Sequence, residues 1–549
     1  MECGIDFGTT YSTICFSVES EGGCLCVSES PFIPTCVMID DSRKVYYIGR
    51  KALAEAERNK RGRLYINLKR WIGCYNYNID KYKKKIKPEY IVKGYDAYGV
   101  AIGSLNGGED TVKPVIDLIV LFLKGIILEC ERFTGSTATG FVCSVPADYN
   151  TFKRTFLSIA LDKVGKPVRA LINEPTAAAL RALQLGSDTQ RTVGVFDFGG
   201  GTFDVSMLHR RGLVISVLYS EGDNYLGGRD VDRAIAESLK TKYHIKEDFS
   251  SLSVIIQNLK ETVSEDPSIE EHIVIVEGNE YRISFTQGDL RVISKPFLQR
   301  AIDLFRRGLR HLKNPKTLVV LTGGSSALPG LEEELRKVEE VTDVHFDRKT
   351  YRTSVAVGAK IYCDMLTEGR QTVLLDTCTH TLSDELAGFR PSIMFEKGCS
   401  IPSTKEISYY VSGASMDYGL FEGEEVKTWR NEKTFQSKHL RESIDRKLDT
   451  AKFQLSIDGR LKVWIDGQEL INEMRPPRAS DTVDDYTYLD GTEDDLLRFG
   501  TLYSVILNEL CGVRTSYEEI STGKGFFFEK EIDKYFEVFG KGELQKLLR

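Results

Sequence analysis

GIDFGTTYS, Gly4 to Ser12, and VFDFGGGTFDVS, Val195 to Ser206, are two copies of one pattern. Each reads as an apolar strand ending on an aspartate, then a turn of glycine and threonine, then a second alternating strand. A turn built of glycine lets backbone N–H groups close around phosphate oxygens, because no side chain stands in the way. The aspartate at each strand end, Asp6 and Asp197, can hold Mg²⁺, usually through its waters. Two such turns facing each other would make a two-sided clamp for a nucleoside triphosphate.

The rest of the chain sets the frame for that clamp. At 549 residues it exceeds what a single core supports, so several domains are expected. Hydrophobic residues make up 41% and charged residues 28%, the balance of a soluble globular protein. A net charge of −7 argues against a general nucleic-acid coat, which needs a strong basic excess. The one basic run, Lys81, Lys83, Lys84, Lys85 and Lys87, reads as a solvated face ahead of a phosphate, RNA or membrane contact. Twelve cysteines without a CxxC pair, and no opening secretory signal, fit free thiols in a reducing compartment. Val112 to Cys130 is the most apolar long stretch, but Asp117 and Lys124 interrupt it, which predicts a buried helix and no membrane span.

Strands alternate with helices as far as about Gly369. FVCSVPADY, Phe141 to Tyr149, is a strand ended by Pro146, and Thr151 to Val164 is an amphipathic helix. A further helix begins near Pro175, since proline suits the first helical turn. LVVLTGGSS, Leu318 to Ser326, is a strand broken by two glycines, and Leu331 to Val338 is helical. The layout predicts an α/β architecture in two related halves, each carrying one phosphate turn. Past the short apolar strip Thr372 to Asp376, strands and turns take over, with Asp-Gly turns at Asp458-Gly459 and Asp466-Gly467. The run Asp481 to Asp495 is acidic and reads as a loop. In the tail Ile532, Tyr535, Phe536 and Phe539 fall at helical spacing.

There is no GxxxxGK[ST] loop and no kinase catalytic loop. The motifs GIDFGTTYS, LKRWIG (Leu68 to Gly73), VPADYNTFKR, INEPTAAAL (Ile172 to Leu180), FDFGGGTFDVS, LGGRDVD (Leu226 to Asp232) and LTGGSS resemble, in order, those of the seventy-kilodalton heat-shock chaperone family of the actin-like ATPase clan. ECERFTG, LYINLKRWIG and GAKIYCDML resemble most the closterovirus homologues within that family, grapevine leafroll-type members above all. The resemblance implies an actin-like ATPase domain of two duplicated lobes over 1–370, a linker at 371–380, a β-sandwich-like substrate-binding domain over 381–475, and a divergent acidic loop with a short helical tail over 476–549.

For the site it implies that Asp6 and Asp197 orient the Mg²⁺ waters, and that Thr9, Thr10 and Thr202 serve the β- and γ-phosphates of ATP or ADP. Gly8, Gly199, Gly200 and Gly201 would let the backbone approach, with Gly227 and Gly228 opening the next helix. Lys69 matches the catalytic lysine, placed to stabilise charge where it develops. Glu174 and Asp204 match the carboxylates that position the metal shell and the attacking water; Glu174 alone could equally be a helix-start acid. Gly323, Gly324 and Ser325 match the adenosine side. There the chain departs from the family, which brackets adenine between two arginines where this sequence has Glu261 and Ala327. A stacked arginine is worth about 0.5–2 kcal/mol, so losing both weakens binding roughly ten- to a thousandfold.

Pro146 and Arg154 match positions that relay nucleotide state, and Val373, Leu374 and Leu375 match the interdomain linker. Implied partners are viral coat proteins and other virion-tail proteins, with plasmodesmal or cytoskeletal host factors, in host plant cytoplasm, plasmodesmata and the virion; direct RNA contact stays open. Three functions are weighed: an ATP-driven movement and assembly factor, a virion component with a vestigial site, and a host-like peptide-binding chaperone. Absent a full helical lid and clear substrate-arch residues, the last is the weakest.

Overall fold

The computed structural model describes residues 1–17, 31–58, 62–88, 90–105, 107–184, 190–212, 214–223, 226–246, 249–276, 279–313, 315–348, 351–369, 373–386, 389–410, 414–440 and 448–489. The helical spacing around Phe536 lies outside these residues. The architecture is mixed α/β, with two central sheets built to the same order. In the first, strand Glu2–Asp6 pairs antiparallel with Tyr11–Cys15 on one side and parallel with Gly140–Val145 on the other, followed by Val168–Asn173. In the second, Gln190–Phe198 pairs antiparallel with Phe203–Arg211 and parallel with Thr317–Thr322, followed by Val341–His345. The two glycine turns therefore occupy equivalent places, each joining the central hairpin of its sheet.

Burial explains why these residues form these elements. Gly140–Val145 and Thr317–Thr322 are covered on both faces and read as continuous apolar runs, as internal parallel strands do. Helix Thr151–Asp162 starts where the Asn150 side chain accepts from the Lys153 backbone N–H at 2.9 Å. Helix Val115–Thr134 is the predicted buried helix, packed in the core of the first half. Among the described residues no helix is long and apolar enough to cross a membrane. The lysine run forms helix Ile79–Ile86, which buries none of its residues. The nine described cysteines are free thiols.

Val373–Thr377 adds a parallel strand to the second sheet through Val214, Ile215 and Ser216, burying Leu374. Two antiparallel four-stranded sheets then enclose one core that includes Leu382, Leu420, Phe435, Phe453 and Ile465. The turn at Asp466-Gly467 has φ of 47° and 89°, the left-handed pair a tight hairpin needs.

The acidic run corrects the sequence reading. Its described part is no loop: Asp481–Asp485 is a 3-10 turn, and Thr487–Tyr488 is a strand parallel to Val45–Ile48. The acids are held by cations of the first half, Asp484 by Lys124 at 2.5 Å and Lys163 at 2.7 Å. Ser480 gives its N–H (2.8 Å) and hydroxyl (2.6 Å) to Asp117. The two charges that interrupt the apolar helix are thus the anchors of a strap running from Met474 to Leu489. Tyr488 packs its ring 5.3 Å from that of Tyr46, lies under Arg132, and bonds Glu129 through its hydroxyl. Tyr488→Ala is expected to cost about 3 kcal/mol, the usual loss for a buried aromatic. A lower denaturation midpoint with new protease cuts between 474 and 489 would show it; an unchanged midpoint would mean the strap adds nothing.

Candidate functional site

Asp6 stands at the end of its strand, accepting from Ser144 Oγ at 3.1 Å. Asp197 stands one residue before the end of the equivalent strand, in register with Asp204 across the hairpin and with Thr322 on the other side. Lys69 comes from the 3-10 turn Leu68–Trp71, and Glu174 opens helix Glu174–Gln184 directly after strand Val168–Asn173. The two meet: Lys69 Nζ donates to Glu174 Oε1 at 2.7 Å, with the lysine only 6% exposed. A solvated surface lysine is thereby excluded, whereas Glu174 is both a helix-start acid and part of this cluster.

The electrostatics show one connected group. Burial, then Glu174, push Asp6 up to about 7, against the pull of Lys69. Burial, Glu174 and Asp6 push Asp197 up to about 8. Asp204 is driven well above the carboxylate range by burial, Asp148 and Asp197. Burial alone would lower the Lys69 ammonium, but Glu174 and Asp6 outweigh it and hold it above its usual value. Four acids crowd one lysine, a donor set that calls for further positive charge. Among the described residues no three His, Cys, Asp or Glu converge on a direct metal cage. Such a surplus of buried carboxylate suits a Mg²⁺ whose waters Asp6 and Asp197 would orient.

The turns are closed by their own bonds. Gly8 N–H donates to Ser12 Oγ at 3.1 Å, and Thr35 Oγ1 donates to Gly8 O at 2.9 Å, with Thr9 and Thr10 at the tip. In the second turn Gly199 N–H reaches Thr202 O at 2.9 Å. Gly228 and Arg229 N–H then donate to Gly199 O (3.0 Å) and Gly200 O (2.8 Å), docking the start of helix Gly228–Tyr243 onto it. Gly227 has to be glycine: a Cβ there would lie 2.6 Å from the Gly201 backbone. Ser325 Oγ donates to Gly199 O at 2.8 Å, and a Cβ on Gly323 would stand 2.5 Å from Asp197 Oδ1. Gly323 and Ser325 therefore abut the turn that Gly199, Gly200 and Gly201 form, with Gly324 between them in sequence.

Several neighbours escaped the sequence reading although they lie inside the quoted motifs. Arg70 points its Nη2 at Gly201, 3.9 Å from where a Cβ would be, and is pulled down to about 10 by burial and by nearby Arg229. Two guanidiniums repelling each other beside a glycine turn suit a polyanion such as a phosphate chain. Asp148 adds its charge to Asp204. Outside those motifs, Lys260 pairs with Asp232 at 2.7 Å and donates to Gly228 O. Glu261 accepts from Gln257 at 3.0 Å and faces Arg352 at 3.7 Å; Ala327 ends the short turn Gly324–Ala327.

The site continues toward the second domain. Asn173, next to Glu174, accepts from Arg154 Nη2 at 2.7 Å and donates to Asp376 at 2.5 Å. Arg154 also donates to Asp458 O at 3.2 Å, at the first of the predicted Asp-Gly turns. Thr151 N–H donates to Glu422 at 3.0 Å, and His380 Nε2 lies 3.0 Å from Asp148 O. Pro146 sits between strand Gly140–Val145 and this cluster.

Comparison with known proteins gives a consistent result. A sequence profile described as Hsp70 protein matches residues 2–427. The chain is 42% identical over 494 residues, 90% of each chain, to the Movement protein Hsp70h of Grapevine leafroll-associated virus 3. It is 32% identical over 450 residues to the Movement protein Hsp70h of Beet yellows virus, covering 79% of this chain and 75% of that one. The protein of the same name from Lettuce infectious yellows virus is 28% identical over 405 residues, 74% of this chain and 72% of that one.

Proposed function

The chain belongs to the Hsp70 family, and we propose that it hydrolyses ATP to ADP and phosphate in the service of viral cell-to-cell movement and virion-tail assembly. The observation that carries the enzymatic part is the convergence of Asp6, Lys69, Glu174, Asp197 and Asp204 beside two glycine turns from the two halves of the chain. In this reading Thr9, Thr10 and Thr202 and the turn amides bind the phosphate chain, with Arg70 and Arg229 adding charge. Lys69 offsets negative charge as it builds on the transferred phosphoryl group. Glu174, oriented by Lys69, and Asp204 hold the attacking water, and Glu174 takes its proton; such general-base help is typically worth about 10²–10⁴ in rate. Mg²⁺, when bound, supplies neutralisation of the phosphate oxygens.

The relatives' name, movement protein, supports the viral movement role; host cytoplasm, plasmodesmata and the virion are the proposed locations. Coat proteins, other tail proteins and plasmodesmal or cytoskeletal factors are the proposed partners. The Asn173–Arg154–Asp458 contacts would carry the nucleotide state to the β-rich domain. Glu261 and Ala327 favour a second reading, a virion component whose site is vestigial. Phosphate release by the purified chain with ATP and Mg²⁺, measured beside Asp197→Asn, separates the two. The ATPase reading expects wild-type turnover at least tenfold above the variant; equal rates overturn it.

A further inference from the structure

We infer that Arg352 supplies the base platform that Glu261 and Ala327 do not: its guanidinium is the surface on which the nucleotide's base rests, with Glu261 as its positioning residue. This rests on the nucleotide reading above and adds to it the residue that holds the base.

Arg352 precedes helix Ser354–Thr367, and its backbone is tied to the site. Thr322 Oγ1 donates to the neighbouring Tyr351 O at 2.9 Å and lies 2.7 Å from Ser354 Oγ, while Thr322 itself is in register with Asp197. The strand end that presents the second aspartate thus also fixes the root of Arg352. The side chain then reaches four surfaces, one of them the Tyr351 ring, whose centre is 5.5 Å from the guanidinium carbon. Its Nε lies 3.9 Å from the Cβ position of Gly324, in the turn on the adenosine side. Its Nη2 is 3.7 Å from Glu261 Oε2. Its guanidinium carbon is 5.8 Å from the ring centre of Phe32, which meets Tyr11 edge-on at 6.4 Å. Tyr11 directly follows the first phosphate turn, so the guanidinium spans the mouth of the cleft from one half to the other.

Its surroundings suit stacking better than phosphate binding. A guanidinium is planar, delocalised and weakly hydrated, and it stacks on π faces where an ammonium does not. Nε donates to Tyr351 Oη at 3.0 Å, and Glu261 faces Nη2 at the ion-pair distance of 3.7 Å, so one in-plane donor is engaged and the edge beside it faces a carboxylate, which would repel a phosphate. Gln257 in turn holds Glu261 at 3.0 Å. At 32% exposure the Arg352 side chain keeps part of its surface open. The acids and glycine turns that suit Mg²⁺ and phosphates are supplied elsewhere in the site.

The test is calorimetric titration of the full chain with Mg²⁺ and either ADP or inorganic tripolyphosphate, which carries no base. Arg352→Ala should weaken ADP binding roughly 2- to 30-fold and leave tripolyphosphate unchanged. Arg352→Lys, which keeps the charge and loses the plane, should fall nearer to alanine than to the wild type. Glu261→Gln should show the same split between the two ligands, with a smaller loss. Unchanged ADP binding by Arg352→Ala, or equal losses for both ligands, overturns the role of Arg352. A wild type that binds neither ligand overturns the nucleotide reading instead.

Discussion

Replacing Lys69 by alanine is expected to slow steady-state ATP hydrolysis by about 10²–10⁴-fold, while ADP affinity moves far less. The reasoning starts from charge. Lys69 is the cation that pulls Asp6, Asp197 and Asp204 alike toward their charged forms, and it bonds Glu174 at 2.7 Å. Without it, the electrostatic help given to the phosphoryl group is lost, and Glu174 loses the bond that fixes its orientation. In the ATPase reading, ground-state binding would draw on the turn amides and the two arginines as well, so it should survive better. Breaking a buried ion pair costs about 3–5 kcal/mol, and the low end applies because Glu174 retains 18% exposure. A denaturation curve should therefore accompany the phosphate-release assay. A folded variant that turns over at the wild-type rate would remove Lys69 from the chemistry.

The legible part of this protein lies where one short motif fixes both a strand and its chemistry. GIDFG and FDFGGG state the strand end, the acid and the turn together, and the two sheets place them equivalently. LKRWIG offered Lys69, but nothing in its spacing told that Arg70 also faces the glycine turn. LGGRDVD likewise hid Arg229 behind its glycines. The strap was illegible for a different reason. Asp481 and Asp484 look like a solvated run because their lysines, Lys124 and Lys163, lie some three hundred residues earlier. Asp117 looked like a flaw in an apolar helix until Ser480 filled its hydrogen bonds. Single-chain periodicity reports which face is apolar; it carries no information on which distant side chain satisfies a buried charge. Arg352 is of this kind too, since only the fold sets it between Glu261 and Phe32.

The second large effect is expected far from the phosphates, at Gly358. Helix Ser354–Thr367 crosses helix Glu174–Gln184 and strand Glu2–Asp6 with backbone pressed on backbone. A Cβ on Gly358 would stand 1.7 Å from Ala177 O, and one on Gly4 would stand 2.1 Å from Lys360 N. Neither obstacle is a flexible side-chain end, so the helices themselves must separate. Gly358→Ala gains about 1 kcal/mol of helix propensity, yet the overpacking is expected to win and leave a net loss of about 3 kcal/mol. The rate should fall as well. Ala177 shares its helix with Glu174, and Gly4 shares its strand with Asp6, so the crossing sets the distance between two acids of the site. A misplacement of about 1 Å can cost roughly 10²-fold. Gly358→Ala should thus lower both the denaturation midpoint and phosphate release, with the rate loss persisting at temperatures where the variant is fully folded. Wild-type values for both would show that the two helices have room to part.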